Sequence, residues 1–143
     1  MGLLKGKIAL VTGASRGIGK AIAIKFAQEG ADIAFTARSE TKHFLDTVAQ
    51  VTAFGVRCKG YTSDASDFKQ THELVDQAMA DVGRRDILVN NAGVSGGSPT
   101  LGAVRTEDVN TSFATNVTGP MYIVRECRPA LRAAGGGLVV NVS

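Results

Sequence analysis

The chain has 143 residues, of which 44% are hydrophobic and 20% are charged, and its formal net charge is +3. This length suits one domain with a sizeable core. The basic residues are scattered singly, which argues against a nucleic-acid-binding surface, and no apolar run approaches the ~20 residues of a membrane span. Cys58 and Cys127 have no metal-ligand spacing, so we expect free thiols in a reducing, cytoplasmic compartment and no metal site.

Short apolar runs alternate with segments of helical periodicity along the whole chain. Each run has the composition of a strand that is buried on both faces of a sheet. The predicted strands are residues 7–11, 32–37, 56–62, 86–90 and 138–142. This alternation predicts a doubly wound α/β domain with a parallel sheet of order 3-2-1-4-5. Ligands of such sheets bind where the order reverses, here between the first and fourth strands.

Residue types at the segment ends predict where the first three helices begin and end. The first should end at Gly30, the second should extend from a cap at Ser39 to Gly55, and the third from a cap at Ser66 to Gly83.

A longer helix is predicted to begin at Thr106, where acidic residues follow and favour its N-terminal dipole. Pro120 and Pro129 are expected to bend or interrupt this helix. Its inner apolar stripe is predicted to consist of Phe113, Val117, Met121, Val124 and Leu131.

The segment TGASRGIG, residues 12–19, lies directly between the first predicted strand and the first predicted helix. Gly13 permits a tight turn, Gly17 lets the backbone approach a pyrophosphate, and Gly19 lets the helix pack close to the sheet. The amides of the first helical turn then favour an anion. The glycines could instead serve only to build a tight turn, but the strand–turn–helix context favours phosphate binding.

Three motifs in register resemble those of the short-chain dehydrogenase/reductase family: TGASRGIG, NNAG at residues 90–93, and Asn116 within TNVTG. The resemblance covers essentially the whole chain. We therefore interpret residues 1–143 as a single NAD(P)-binding Rossmann domain, the N-terminal part of a classical domain of that family. The opening segment is similar to that of bacterial 3-oxoacyl-[acyl-carrier-protein] reductases of fatty acid biosynthesis. The resemblance implies an oxidoreductase that moves a hydride between nicotinamide and a carbonyl or an alcohol.

The resemblance also assigns residues to the cofactor. The glycine turn would line the diphosphate and the adenosine ribose, the residues after the third strand would hold the adenine, and NNAG would line the nicotinamide-side ribose. By position these residues are Gly13, Ala14, Ser15, Arg16, Gly17, Ile18 and Gly19, then Asp64 and Ala65, then Asn91, Ala92 and Gly93.

The end of the second strand indicates which nicotinamide cofactor is preferred. An acidic residue there favours NAD, whereas a nearby arginine accommodates the 2′-phosphate of NADP. This chain has Ala37 followed by Arg38, with no acid before Glu40, and Arg16 adds a second cation in the glycine turn. Because guanidinium groups bind phosphate in a bidentate manner, we expect NADP(H) to be favoured over NAD(H).

The family's chemistry uses Asn, Ser, Tyr and Lys, the Lys lowering the pKa of a Tyr that acts as general acid. Asn116 matches the family's Asn, which holds a water for proton relay. Ser143 is either the first member of the family's serine pair or, one residue out of register, the reactive serine itself. No Tyr-x-x-x-Lys is present, because neither Tyr61 nor Tyr122 is followed by Lys at the fourth position. We therefore expect the chain as given to be truncated and catalytically incomplete.

Three functions are consistent with these observations. The first is an NADPH-dependent reductase of a small or acyl-carrier-protein-bound carbonyl substrate. The second is a nucleotide-binding module without chemistry, and the third is a structural fragment that self-associates.

The family pairs subunits through its long helix, so a homo-oligomer through residues 106–133 is expected. The fifth strand should form an unprotected sheet edge.

Overall fold

A computed structural model describes residues 2–95, 97 and 100–143. Within these residues, five strands form one parallel sheet of order β3-β2-β1-β4-β5, which confirms the predicted α/β fold and strand order. The elements are β1 (Ile8–Val11), α1 (Gly17–Gln28), β2 (Asp32–Ala37), α2 (Lys42–Thr52), β3 (Cys58–Thr62), α3 (Phe68–Val82), β4 (Ile87–Asn90), α4 (Thr106–Phe113), α5 (Gly119–Ala133) and β5 (Leu138–Asn141), with a 3-10 turn at Leu101–Ala103 and a π-helical turn at Ala114–Thr118.

The central strands are buried on both faces, as their continuous apolar composition predicts. Side chains alternate between the faces along each strand. On β1, Ala9 and Val11 pack in the core cluster that includes α1 and α2, whereas Leu10 packs in the cluster that includes α3 and α5. The helices therefore cover the sheet from both sides. The carboxyl ends of β1 and β4 lie next to each other at the point where the strand order reverses.

The predicted caps of two helices are wrong. Thr41, not Ser39, caps α2, because its hydroxyl accepts a hydrogen bond from the Phe44 amide. The carboxylate of Asp67, not the hydroxyl of Ser66, caps α3. In each pair a side chain nearer to the first helical residue reaches the free amides of the first turn, so the nearer acceptor becomes the cap.

The long helix is interrupted before Pro120, as expected. Its segments α4 and α5 are separated by the π-helical turn Ala114–Thr118, and α5 continues through Pro129. Because proline has no N–H, Pro120 cannot donate to the carbonyl of the preceding turn.

The predicted inner stripe is wrong for the residues before and at the start of α5. Phe113 and Met121 are 61% and 65% exposed, and Val117 is exposed as well. A π turn adds a residue to one helical turn and so rotates the next segment of the helix about its axis. The buried side of this segment is instead formed by Thr115, Gly119, Ile123, Cys127, Ala130 and Leu131.

Both cysteines are free thiols. Burial raises the pKa of Cys58 to about 12 and that of Cys127 to about 11. Both groups therefore stay protonated and unreactive at neutral pH. No helix in the described ranges is long and apolar enough to cross a membrane, and the same ranges hold no cluster of three metal-binding side chains.

Candidate cofactor site

A groove of about 290 Å³ follows the carboxyl ends of β1, β2, β3 and β4. It brings together most of the residues that the sequence assigned to the cofactor, although these residues come from four separate turns. Ala14 and Gly19 are buried beneath it, and Ile18 lines a neighbouring cleft. The groove is lined by Gly13, Ser15, Arg16, Gly17, Thr36, Ala37, Arg38, Ser63, Asp64, Ala65, Asn91, Ala92, Gly93, Val94 and Thr115.

Three glycines of the turn, Gly13, Gly17 and Gly19, occupy positions where a side chain would be strained or would collide with a neighbour. Gly13 and Gly17 have φ values of +64° and +61°, which L side chains rarely adopt. A Cβ on Gly13 would lie 2.8 Å from the Cα of Ala92, whereas a Cβ on Gly17 would point into open space. A Cβ on Gly19 would collide with the Asn91 side chain and the Gly13 carbonyl. The glycines thus allow close packing on one side and leave backbone accessible on the other.

The N-terminus of α1 has no side-chain cap. Arg16 precedes the helix in an extended conformation, and the first turn contains no acidic residue. Among the described residues, the amides and the positive end of the helix dipole therefore have no side-chain cap and no acidic residue of the first turn to neutralise them. This arrangement suits a ligand phosphate.

Thr47 on α2 fixes the glycine turn from below, and sequence reasoning missed it. Its hydroxyl is fully buried and lies 3.1 Å from the carbonyl oxygen of Ala14 and 3.0 Å from that of Ser15. It also contacts the carbonyl of His43, one turn earlier in its own helix. Holding these carbonyls beneath the turn fixes the orientation of the peptide groups that face the groove. No local signal in the sequence links Thr47 to a turn more than 30 residues away.

Charge at the end of the groove is predominantly positive where β2 ends. Arg16 and Arg38 both line the groove and are exposed. Asp64 also lines the groove, and its pKa is lowered chiefly by the hydrogen bond from the Ser66 hydroxyl, with the charge of Arg38 as a further cause. Asp64 is therefore an anion at neutral pH and can accept a hydrogen bond.

The NNAG segment is bound directly to the end of β1. The side-chain amide of Asn91 donates to the carbonyls of Thr12 and Gly13, both at 3.1 Å. The backbone amides of Asn91 and Ala92 donate to the Thr12 hydroxyl at 3.0 and 2.9 Å. Asn90 donates to the Asn141 side chain on β5 at 2.9 Å. These bonds connect the floor of the groove to both neighbouring strands.

Asn116 lies in the π-helical turn, and both polar atoms of its side chain are engaged. Its Oδ1 accepts from the amide of Val94 and its Nδ2 donates to the carbonyl of Val94, each at 2.8 Å. Asn116 and Ser143 line one large cleft of about 1100 Å³ next to the groove, so the structure brings the two candidate catalytic residues to the same side.

Neither tyrosine belongs to this cleft or to the groove. Tyr61 is buried and donates to Asp81 at 2.9 Å, and burial together with this bond raises the pKa of its phenol. Tyr122 packs edge-on against Phe68.

A parallel doubly wound sheet with a glycine turn at the switch point defines a dinucleotide-binding α/β protein. The model of the short chain dehydrogenase family matches residues 7–143, and the chain belongs to that family. An uncharacterized oxidoreductase of Mycobacterium tuberculosis is 40% identical over 143 residues, covering 98% of this chain and 53% of that protein. The chain spans about half the length of the curated relatives it matches.

Two similar solved structures hold different cofactors. A metagenomic short-chain oxidoreductase in complex with NADP is 35% identical with a TM-score of 0.89, covering 98% of this chain and 63% of that chain. NAD⁺-bound xylitol dehydrogenase is 29% identical with a TM-score of 0.91, covering 97% and 53%. The family thus binds nicotinamide cofactors, and similarity alone does not choose between them.

Proposed function

We propose that this chain forms the cofactor-binding part of an NADP(H)-dependent reductase, which converts the carbonyl of a 3-oxoacyl thioester-like substrate to an alcohol in the cytoplasm. The single observation that carries the proposal is the groove. It combines a glycine turn, an uncapped helix N-terminus and the NNAG segment at the switch point of the sheet. When bound, the nicotinamide supplies the hydride.

The preference for NADP(H) rests on Arg16 and Arg38. Both line the groove where β2 ends, and Ala37 occupies the last position of that strand, where an acidic residue would favour NAD. The guanidinium groups would bind the 2′-phosphate, and Asp64 and Ala65 would contact the adenine. Gly13, Gly17 and the first amides of α1 would hold the diphosphate, with Asn91, Ala92 and Gly93 at the nicotinamide-side ribose.

Calorimetric titration tests this assignment. We expect NADPH to bind at least tenfold more tightly than NADH, because a bidentate charge-assisted contact contributes roughly 1.5–3 kcal/mol. Arg38→Ala should remove most of this difference without changing NADH affinity. Arg132→Ala, at an exposed position in the last turn of α5, is the matched control. Equal affinity of the unmodified chain for both cofactors would contradict the NADP(H) assignment.

A second candidate function is cofactor binding without turnover by these 143 residues. The positions of the two tyrosines favour it, because Tyr61 is buried against Asp81 and Tyr122 packs against Phe68. Neither can serve as a general acid at the cleft that holds Asn116 and Ser143. In an NADPH-oxidation assay with an acetoacetyl thioester, we expect no turnover above background. Turnover that Asn116→Ala abolishes would contradict this expectation.

We further propose that the protein forms a homo-oligomer through residues 106–133. Val109, Phe113, Val117 and Met121 are exposed apolar side chains along this segment. Burial of these side chains stabilises association at roughly 25 cal/mol per Å². Light scattering should show that Met121→Lys lowers the molar mass, whereas Leu45→Lys, at an exposed apolar position on α2, leaves it unchanged. An unchanged mass for Met121→Lys would refute the interface.

A further inference from the structure

A small cavity adjoins the cofactor groove and shares part of its lining. Its volume is about 20 Å³. It shares Thr36, Ser63, Ala65, Ala92 and Thr115 with the lining of the groove, and it is closed on the other side by residues of α3 and α5. A cavity needs roughly 10–15 Å³ to hold a water molecule, so this one has room for one or two.

The floor of the cavity is polar although the layer below it is apolar. Leu10, Ala34 and Leu88 occupy neighbouring strands and pack in the same core cluster. Two positions further along these strands, on the same face, lie Thr12, Thr36 and Asn90. The sheet thus changes from aliphatic to hydrogen-bonding side chains where the cavity begins.

Two buried polar atoms in the lining have no protein partner among the described residues. They are Oδ1 of Asn90 and Oγ of Ser63, in side chains of residues only 5% and 7% exposed. The two cannot satisfy each other directly, because β1 and β2 lie between their strands. Turning the Asn90 amide over would exchange the atom that faces Asn141 but would leave the other atom without a partner. Buried polar groups in folded proteins are nearly always hydrogen-bonded, to protein or to ordered water.

We propose that this cavity is a buried water site. One ordered water donates a hydrogen bond to Oδ1 of Asn90 and a second pairs with the hydroxyl of Ser63, because two strands separate these residues. The hydroxyls of Thr36 and Thr115 supply further polar groups in the lining, and a buried water typically makes two to four such bonds. The site belongs to the folded chain itself and does not depend on which cofactor the groove accepts.

The water site determines whether Ser63→Ala raises or lowers the unfolding equilibrium constant. If water satisfies Ser63, then Ser63→Ala removes a hydrogen bond and raises the unfolding equilibrium constant by about fivefold. If Ser63 has no partner, the same change removes a buried, unpaired hydroxyl and lowers that constant. Chemical denaturation of the 143-residue chain measures the change, with the exposed Ser39→Ala as the matched control. An unchanged or lowered constant for Ser63→Ala would refute the water site.

A crystal structure at high resolution tests the same site without any variant. We expect one ordered density peak within hydrogen-bonding distance of Oδ1 of Asn90 and a second peak within that distance of Oγ of Ser63. Density at only one of the two atoms would contradict the proposal for the other residue, and a cavity without density would overturn it entirely. This outcome is independent of cofactor affinity, so it remains decisive if Ser63→Ala does not fold.

Discussion

Replacing Arg85 with methionine is expected to make the protein more stable. Arg85 directly precedes Asp86 and β4 and is only 1% exposed. Its Nη1 donates to the carbonyls of Gly83 and Arg84 at 2.9 and 3.2 Å. Its Nε and Nη2 have no hydrogen-bond partner in the described part of the chain. Burial lowers the pKa of this guanidinium, which reflects the cost of keeping the charge there.

These contacts determine the size of the change in the free energy of unfolding. Each buried nitrogen without a partner costs roughly 1–3 kcal/mol, whereas each of the two bonds to carbonyls contributes about 1.5–3 kcal/mol, so these contributions nearly cancel and the cost of burying the charge decides the balance. Methionine keeps an unbranched apolar side chain in the same space. The free energy of unfolding should therefore rise by about 1–2 kcal/mol, as found when buried ionic groups are replaced by apolar ones.

Urea denaturation with an unchanged m-value provides the measurement. Arg85→Ala is the contrasting variant, since it removes the charge but leaves a cavity and should destabilise the protein. Arg132→Met, at an exposed site on α5, is the control. A loss of more than about 1 kcal/mol for Arg85→Met would refute the reasoning, because it would mean that the buried guanidinium is fully satisfied.

Three further predictions concern the groove and the helices α3 and α5. Thr47→Val should weaken cofactor binding about tenfold and destabilise the fold by ~1–2 kcal/mol, because the single hydroxyl donor that the Ala14 and Ser15 carbonyls share is lost; unchanged calorimetric affinity would contradict this role. Gly119→Ala should destabilise the protein by about 1–3 kcal/mol in urea denaturation, because the new Cβ would collide with the Ala65 carbonyl; wild-type stability would contradict that contact. The pKa of His72 is raised, chiefly by its 2.8 Å hydrogen bond to Glu126 on α5. This bond therefore stabilises the fold fully below the unfolded pKa of about 6.5, and the stabilisation is lost as the pH rises through the raised pKa. His72→Gln should remove that pH dependence in denaturation midpoints, and an unchanged profile would refute the role of this bond.

Local sequence patterns were sufficient for the architecture and for the groove. The parallel sheet follows from the alternation of apolar runs and helical segments with right-handed crossovers, and the order 3-2-1-4-5 is one of the common orders of such sheets. The glycine turn was predictable because a strand, Gly13, Gly17 and a helix follow one another within a few residues.

Features that depend on packing between distant segments were not predictable in the same way. Thr47 supports the glycine turn across the α1–α2 layer, and its sequence context marks only a helix. The π turn rotated the buried side of the helix that follows it, so that Met121 is exposed. Arg85 occurs in a segment rich in polar residues, yet it is only 1% exposed.

The two hydrogen bonds between Asn116 and the Val94 backbone restrict which residues position 116 tolerates. A carboxamide presents a donor and an acceptor side by side, as a peptide group does. The Asn116 side chain therefore makes the same pair of hydrogen bonds to Val94 that a neighbouring β-strand would make. Aspartate has almost the same shape but would direct an acceptor at the Val94 carbonyl. Leucine would satisfy neither group of the Val94 backbone. The turn that carries Asn116 and the segment after NNAG are therefore held as one unit by a side chain that mimics main chain.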